Sequence, residues 1–110
     1  MRTMKRVLLV DDDDSLLRVT QKQLTAAGHE VVALPSAEAA LDVFDPEEID
    51  LVLTDIEMPE MDGIELLAEI KRRNPDTPVV VITAHGSVER AVTAMKTGAV
   101  DFLEKPFRRE

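Results

Sequence analysis

The sequence predicts an α/β fold, a doubly wound sheet of parallel strands, on three observations. Short runs of β-favouring apolar residues alternate with segments whose apolar positions recur every three or four residues, in the pattern (βα)4β. The connections are short, so the strands run parallel with right-handed crossovers and helices on both faces. The chain has 110 residues, 45% of them hydrophobic and only 3% aromatic. That is enough for one domain whose core is built from Val, Leu, Ile, Ala and Met.

Val7-Leu8-Leu9-Val10 is a continuous apolar run halted by Asp11 to Asp14, the signature of a strand buried on both faces. A helix follows from Ser15, with Leu17, Thr20, Leu24 and Ala27 in helical spacing, Asp13 or Asp14 as its N-cap and Gly28 as its terminator. Glu30 to Leu34 reads as the second strand. Ser36 caps a helix from Ala37 to Phe44 with Ala40, Leu41 and Phe44 on its apolar face. Leu51-Val52-Leu53 is the third strand, leading to Asp55. After the Pro59 to Gly63 turn, Asp62 and Glu65 form a capping box for a helix that turns Ile64, Leu67, Ala68 and Ile70 inward. Pro78 to Ile82 is the fourth strand, ending at Thr83. Ser87 caps a helix with Val88, Ala91, Val92 and Met95 inward and Gly98 beyond its end, and Asp101 to Glu104 is a short fifth strand before Lys105-Pro106.

Thirteen basic against 22 acidic residues give a net charge of -9. Such a domain repels phosphate backbones, which disfavours direct nucleic-acid contact and anionic membranes, and makes cations and basic surfaces the expected partners. The absence of cysteine excludes disulfides, thiolate zinc sites and Cys nucleophiles. No apolar run approaches the roughly 20 residues of a membrane span and no signal peptide is visible, so a cytoplasmic location is expected.

In open α/β sheets, ligands bind beyond the carboxyl ends of the strands. Here those ends carry Asp11-Asp12, Thr54-Asp55, Thr83 and Lys105. Carboxylates gathered at one edge repel one another unless a cation offsets them, and a set of hard oxygen donors suits Mg²⁺, which often bridges to a phosphoryl oxygen. The pattern therefore points to phosphoryl transfer: Asp55 as nucleophile, Asp11 and Asp12 holding the metal, and Lys105 and the Thr83 hydroxyl contacting phosphoryl oxygens. Asp13 and Asp14 read as caps, His29 as structural, and Met58 and Met61 as turn residues that pack or lie exposed.

These residues resemble the receiver domains of two-component response regulators. The resemblance runs through Val7-Leu-Leu-Val-Asp-Asp-Asp, Leu51-Val-Leu-Thr-Asp-Ile-Glu-Met-Pro-Glu-Met-Asp-Gly63, Val80-Val-Ile-Thr-Ala-His-Gly86 and Gly98-Ala-Val-Asp-Phe-Leu-Glu-Lys-Pro-Phe107. The last two segments look most like receivers of nitrogen-regulation and nitrogen-fixation transcription activators. The resemblance implies a flavodoxin-like sheet of order 2-1-3-4-5. It implies Asp55 as phosphoacceptor, with Asp12, Asp55 and the Glu57 main-chain carbonyl as direct Mg²⁺ ligands and Asp11 acting mainly through water. A sensor histidine kinase is the implied phosphate donor. Thr83 and Phe102 are the implied switch residues: Thr83 moves toward the phosphate and Phe102, where Tyr is common, turns inward. Glu57 and His85 stand where the family tunes phosphate lifetime, and the Lys105-Pro106 bond is cis in the family.

The chain ends at Glu110, where the family continues into a fifth helix, so the receiver is expected to span residues 1–110 and to stop before that helix. An apolar strip over strands one, three, four and five is then expected to lie exposed and to drive formation of a dimer or other oligomer. Two alternatives stand beside this reading. One is a phosphatase of the haloacid-dehalogenase kind, because Asp11-Asp12-Asp13-Asp14-Ser15 after a buried strand also resembles that family's nucleophile motif. The other is a docking receiver that works without phosphate.

Overall fold

The computed structural model describes residues 5–83 and 88–104. Strands β1 (Arg6–Val10), β2 (Glu30–Leu34), β3 (Leu51–Asp55), β4 (Val79–Thr83) and β5 (Asp101–Glu104) form one sheet in the spatial order β2-β1-β3-β4-β5, every neighbouring pair parallel. The expected topology is therefore observed. Helix α1 (Asp14–Ala26) packs on β1 and β2 from one side, while α2 (Ala37–Val43), α3 (Gly63–Arg73) and α4 (Val88–Thr97) cover the other. Among the described residues no helix is long and apolar enough to cross a membrane.

Alternation along the strands feeds two cores. Leu8, Val10, Val52, Val79 and Val81 join Ala37, Ala40, Leu66, Leu67, Ile70 and Ala94 on the three-helix side. Val7, Leu9, Leu53 and Ile82 join Leu17 of α1 on the other. The strip expected to lie exposed on this second side is thus narrower than foreseen. Val7, Leu9, Leu53 and Ile82 are buried in one cluster with Leu17 of α1; Leu51 and Val80 are half-buried, and Leu103 on the edge strand is exposed.

Two helices are turned differently from expectation. In α4 the buried residues are Ala91 and Ala94, whereas Val88, Val92 and Met95 are 68%, 47% and 40% exposed. At about 100° per residue, the helix is rotated by roughly 100° from the orientation its larger apolar residues suggest. Alanines let α4 approach α3 and β4 closely, and the bulkier side chains are left outside. In α3, Leu66 takes the buried position expected of Ala68, which is exposed. Smaller shifts occur at element ends: Phe44 is the extended C-cap of α2, and Ala27 the exposed C-cap of α1. Gly28 (φ 98°) and Gly98 (φ 128°) follow α1 and α4 in the left-handed region that favours glycine.

Side chains tie the ends of the elements together. The Arg6 guanidinium donates to Glu30 at 2.8 Å and Glu48 at 2.7 Å, while the Arg6 N–H donates to the Asp50 carboxylate at 2.8 Å, fastening the amino ends of β1, β2 and β3. In the last turn of α3, Lys71 Nζ donates to the Thr77 carbonyl at 2.7 Å and Arg73 Nη1 to the Leu41 carbonyl at 3.1 Å. Glu69 receives hydrogen bonds from Arg72 and Arg73, and these hold its carboxyl down at about 2 from the ordinary 4.5. Because the folded-state value is depressed, the stabilisation is complete above pH 4.5, declines as the pH falls toward 2, and is gone below that. Glu69→Gln should therefore lower the urea midpoint at pH 6, and the gap from the parent chain should narrow at pH 3. The exposed setting of Arg72 keeps the effect small and sensitive to salt.

Candidate functional site

Register fixes the site. Val10 of β1 pairs with Thr54 of β3, and Asp55 pairs with Ile82 of β4, so Asp11, Asp55 and Thr83 reach the carboxyl rim of the sheet together. The Asp11 N–H donates to the Leu34 carbonyl at 3.2 Å, which carries the β1–β2 ladder one residue further. Its carboxylate accepts from the Asp13 N–H at 3.0 Å. Asp13 in turn caps α1 by accepting from the Leu16 N–H at 3.1 Å, so one short turn both orients Asp11 and starts the helix.

Asp11, Asp55 and Thr83 are only 2%, 3% and 2% exposed, whereas Asp12 is open to solvent. One carboxylate oxygen from each of Asp11, Asp12 and Asp55 lies within 4.8 Å of the other two. An all-oxygen set of three carboxylates, two of them buried, fits a hard divalent cation such as Mg²⁺ and suits softer metals poorly.

The loop from β3 to α3 is built around a close backbone approach. The Ile56 N–H donates to the Ile82 carbonyl at 2.9 Å, and the Gly63 N–H donates to the Ile56 carbonyl at 2.8 Å. A Cβ at residue 63 would stand 2.0 Å from the Asp55 carbonyl oxygen. Glycine is needed there for space, and it brings the amino end of α3 against the backbone of the proposed phosphoacceptor. The Asp62–Glu65 capping box forms as expected, with both hydrogen bonds at 2.9 Å. Glu60 adopts a φ of 63°, unusual for a residue with a side chain, and Met58 is buried beneath the loop.

Beside the acidic group lies an open pocket of about 340 Å³ lined by Asp12, Glu57, Met58, Pro59, Asp62 and Arg90. Arg90 extends from α4 to Asp62 at 2.8 Å and to Glu57 at 3.6 Å. Sequence reading did not single out Arg90, because its partners stand 28 and 33 residues away and only the packing of α4 on α3 unites them. Glu57 is exposed, with its side chain in this ion pair. Phe102 pairs with Val81 on the sheet face that also bears Thr83, and it is 42% exposed. Lys105, His85 and the Lys105-Pro106 bond lie outside the described residues.

Gly63→Ala should lower stability by roughly 3 kcal/mol, the upper end for forcing extra volume into packed structure. Urea denaturation measures that loss. Unchanged stability would mean the close approach is absent in solution.

A family model described as the response regulator receiver domain matches residues 7–110. The response regulator protein FleR of Pseudomonas aeruginosa is 51% identical over 102 residues, covering 93% of this chain and 22% of that protein. The DNA-binding transcriptional regulator NtrC of Klebsiella pneumoniae is 43% identical over 99 residues, covering 90% and 21%. The chain thus spans about a fifth of the length of these relatives. Among solved structures, the receiver domain of NtrX from Brucella abortus superimposes with a TM-score of 0.87 at 39% identity, covering 93% of this chain and 87% of that one. A response regulator receiver domain protein from Clostridium thermocellum gives a TM-score of 0.91 at 34% identity, covering 96% and 85%. These matches do not favour the phosphatase or the phosphate-independent docking alternative. With its sheet order, its acidic rim and a family match over nearly its whole length, the chain belongs to the receiver domains of two-component response regulators.

Proposed function

We propose that the domain takes a phosphoryl group onto Asp55 from the phosphohistidine of a sensor histidine kinase and passes the change on through its α4–β5 side. The observation that supports this most is the position of the Asp55 carboxylate, buried at the end of β3 with carboxylate oxygens of Asp11 and Asp12 within 4.8 Å. An Asp55 oxygen forms a bond to phosphorus as the phosphorus–nitrogen bond of the donor breaks, and the imidazole leaves with a proton. Asp12, Asp55 and the Glu57 carbonyl would hold Mg²⁺ directly, with Asp11 acting through water. When bound, the ion neutralises charge on the transferring oxygens. The buried Thr83 hydroxyl supplies a hydrogen bond to a phosphoryl oxygen, and Lys105 a balancing charge. The domain processes only its own phosphate and turns over no other substrate.

The output follows from the α4–β5 side. Thr83 drawn toward new negative charge leaves room that Phe102, on the same sheet face, turns inward to fill. Val88, Val92, Met95 and Phe102 form an exposed apolar surface there, suited to a partner or to a second copy of the domain. We place the domain in the cytoplasm, where histidine kinases present their phosphohistidine. It acts as the phosphate-sensing unit of a transcription activator and makes no direct nucleic-acid contact.

Incubation with acetyl phosphate and Mg²⁺ should add one phosphoryl group, found by intact mass and mapped to Asp55 after digestion. Asp55→Ala should abolish the adduct, and chelation of divalent cations should slow its formation sharply. Labelling at Asp11 with steady turnover, or labelling that survives Asp55→Ala, would overturn the reading.

A further inference from the structure

Three acidic side chains, Asp12, Glu57 and Asp62, line the pocket beside Asp55, and Arg90 is the one basic residue among the described residues that line it. The pocket faces two opposing electrostatic demands. A divalent cation gains from every carboxylate, while an anionic phosphodonor is repelled by each of them. The Arg90 guanidinium, 40% exposed, meets Asp62 at 2.8 Å and Glu57 at 3.6 Å and so offsets two of the three charges. It also draws the Glu57 side chain to the α4 side of the pocket. The backbone of both partners is placed independently of Arg90: Asp62 by its capping box, and Glu57 by the strand it follows and by the adjoining Ile56 bonds. Removing Arg90 therefore exposes their charge without dismantling the loop.

We infer that Arg90 sets the charge of the phosphodonor pocket, weakening cation binding while admitting an anionic donor to Asp55. This rests on Asp55 being the phosphoacceptor. It makes Arg90 a specificity-determining residue that has no need to touch the reacting atoms, and it predicts two effects of opposite sign from one substitution. A merely structural role would impair cation binding and labelling together.

The test uses the whole chain and its Arg90→Met, Arg90→Lys and Glu57→Gln variants. Mg²⁺ affinity is read by NMR titration of amide shifts, and initial labelling by acetyl phosphate at saturating Mg²⁺ is read by intact mass. Arg90→Met should bind Mg²⁺ about threefold more tightly and label about threefold more slowly, the scale expected of partly exposed ion pairs. Both differences should shrink in 0.5 M KCl, a salt level chosen to contract the Debye length to roughly 4 Å. Arg90→Lys should stay near the parent chain. Glu57→Gln, with Arg90 intact, should shift both quantities the other way, which keeps the inference testable should Arg90→Met fold poorly. Unchanged values, or cation affinity and labelling falling together in the folded variant, would overturn the role of Arg90. A parent chain that is not labelled at Asp55 would overturn the phosphoacceptor reading itself.

Discussion

The pairing register of three central strands is the constraint on which everything else in this domain depends. β1, β3 and β4 are apolar on both faces through most of their length, and Asp11, Asp55 and Thr83 stand at their carboxyl ends, where the parallel ladders run out. Side chains alternate with a period of two, so a slip of one residue in β3 would send Leu53 and Asp55 to the opposite face and sink a carboxylate into hydrocarbon. Burial of Val52 and Leu53 thus aligns the rim as firmly as any contact made by the rim itself. The acidic group rests on the hydrophobic core that sets this register.

Charge is distributed accordingly. The amino ends of β1 to β3 are fastened by Arg6 with Glu30, Glu48 and Asp50, where opposite charges meet near solvent. At the carboxyl rim three carboxylates are gathered, and beside them Arg90 pairs with Glu57 and Asp62. A site that concentrates one sign of charge at a buried edge favours a cation, and receiver domains as a family act on phosphate. The loop between β3 and α3 holds this balance in place through Gly63, whose missing Cβ lets the helix start against the Asp55 backbone.

Helix α4 connects the site to the outer surface. It sits on the sheet through two alanines, a narrow contact that leaves Val92 and Met95 outside and carries Arg90 to the pocket mouth. A helix held by small side chains loses less on shifting than one keyed in by leucines, because fewer dispersion contacts must be remade. The same helix therefore borders both the acidic pocket beside Asp12 and the exposed apolar residues near Phe102.

The order of elements, the parallel sheet and the residues at strand ends were legible in the sequence because they depend on local signals: apolar runs of strand length, caps such as Asp13, Ser36 and Asp62, and terminating glycines. Asp11, Asp12 and Asp55 were found the same way, since a buried strand carries the carboxylate that directly follows it to the rim of the sheet. The tertiary structure alone decided which face of α4 is buried, that Leu66 displaces Ala68 in α3, that Val7, Leu9, Leu53 and Ile82 of the strip expected to be open are buried, and that Arg90 reaches the pocket. Periodicity states that a helix has an apolar side. How far that helix rotates, and which distant side chain then meets it, depends on the volumes facing it across the fold, and those are set by residues far away along the chain.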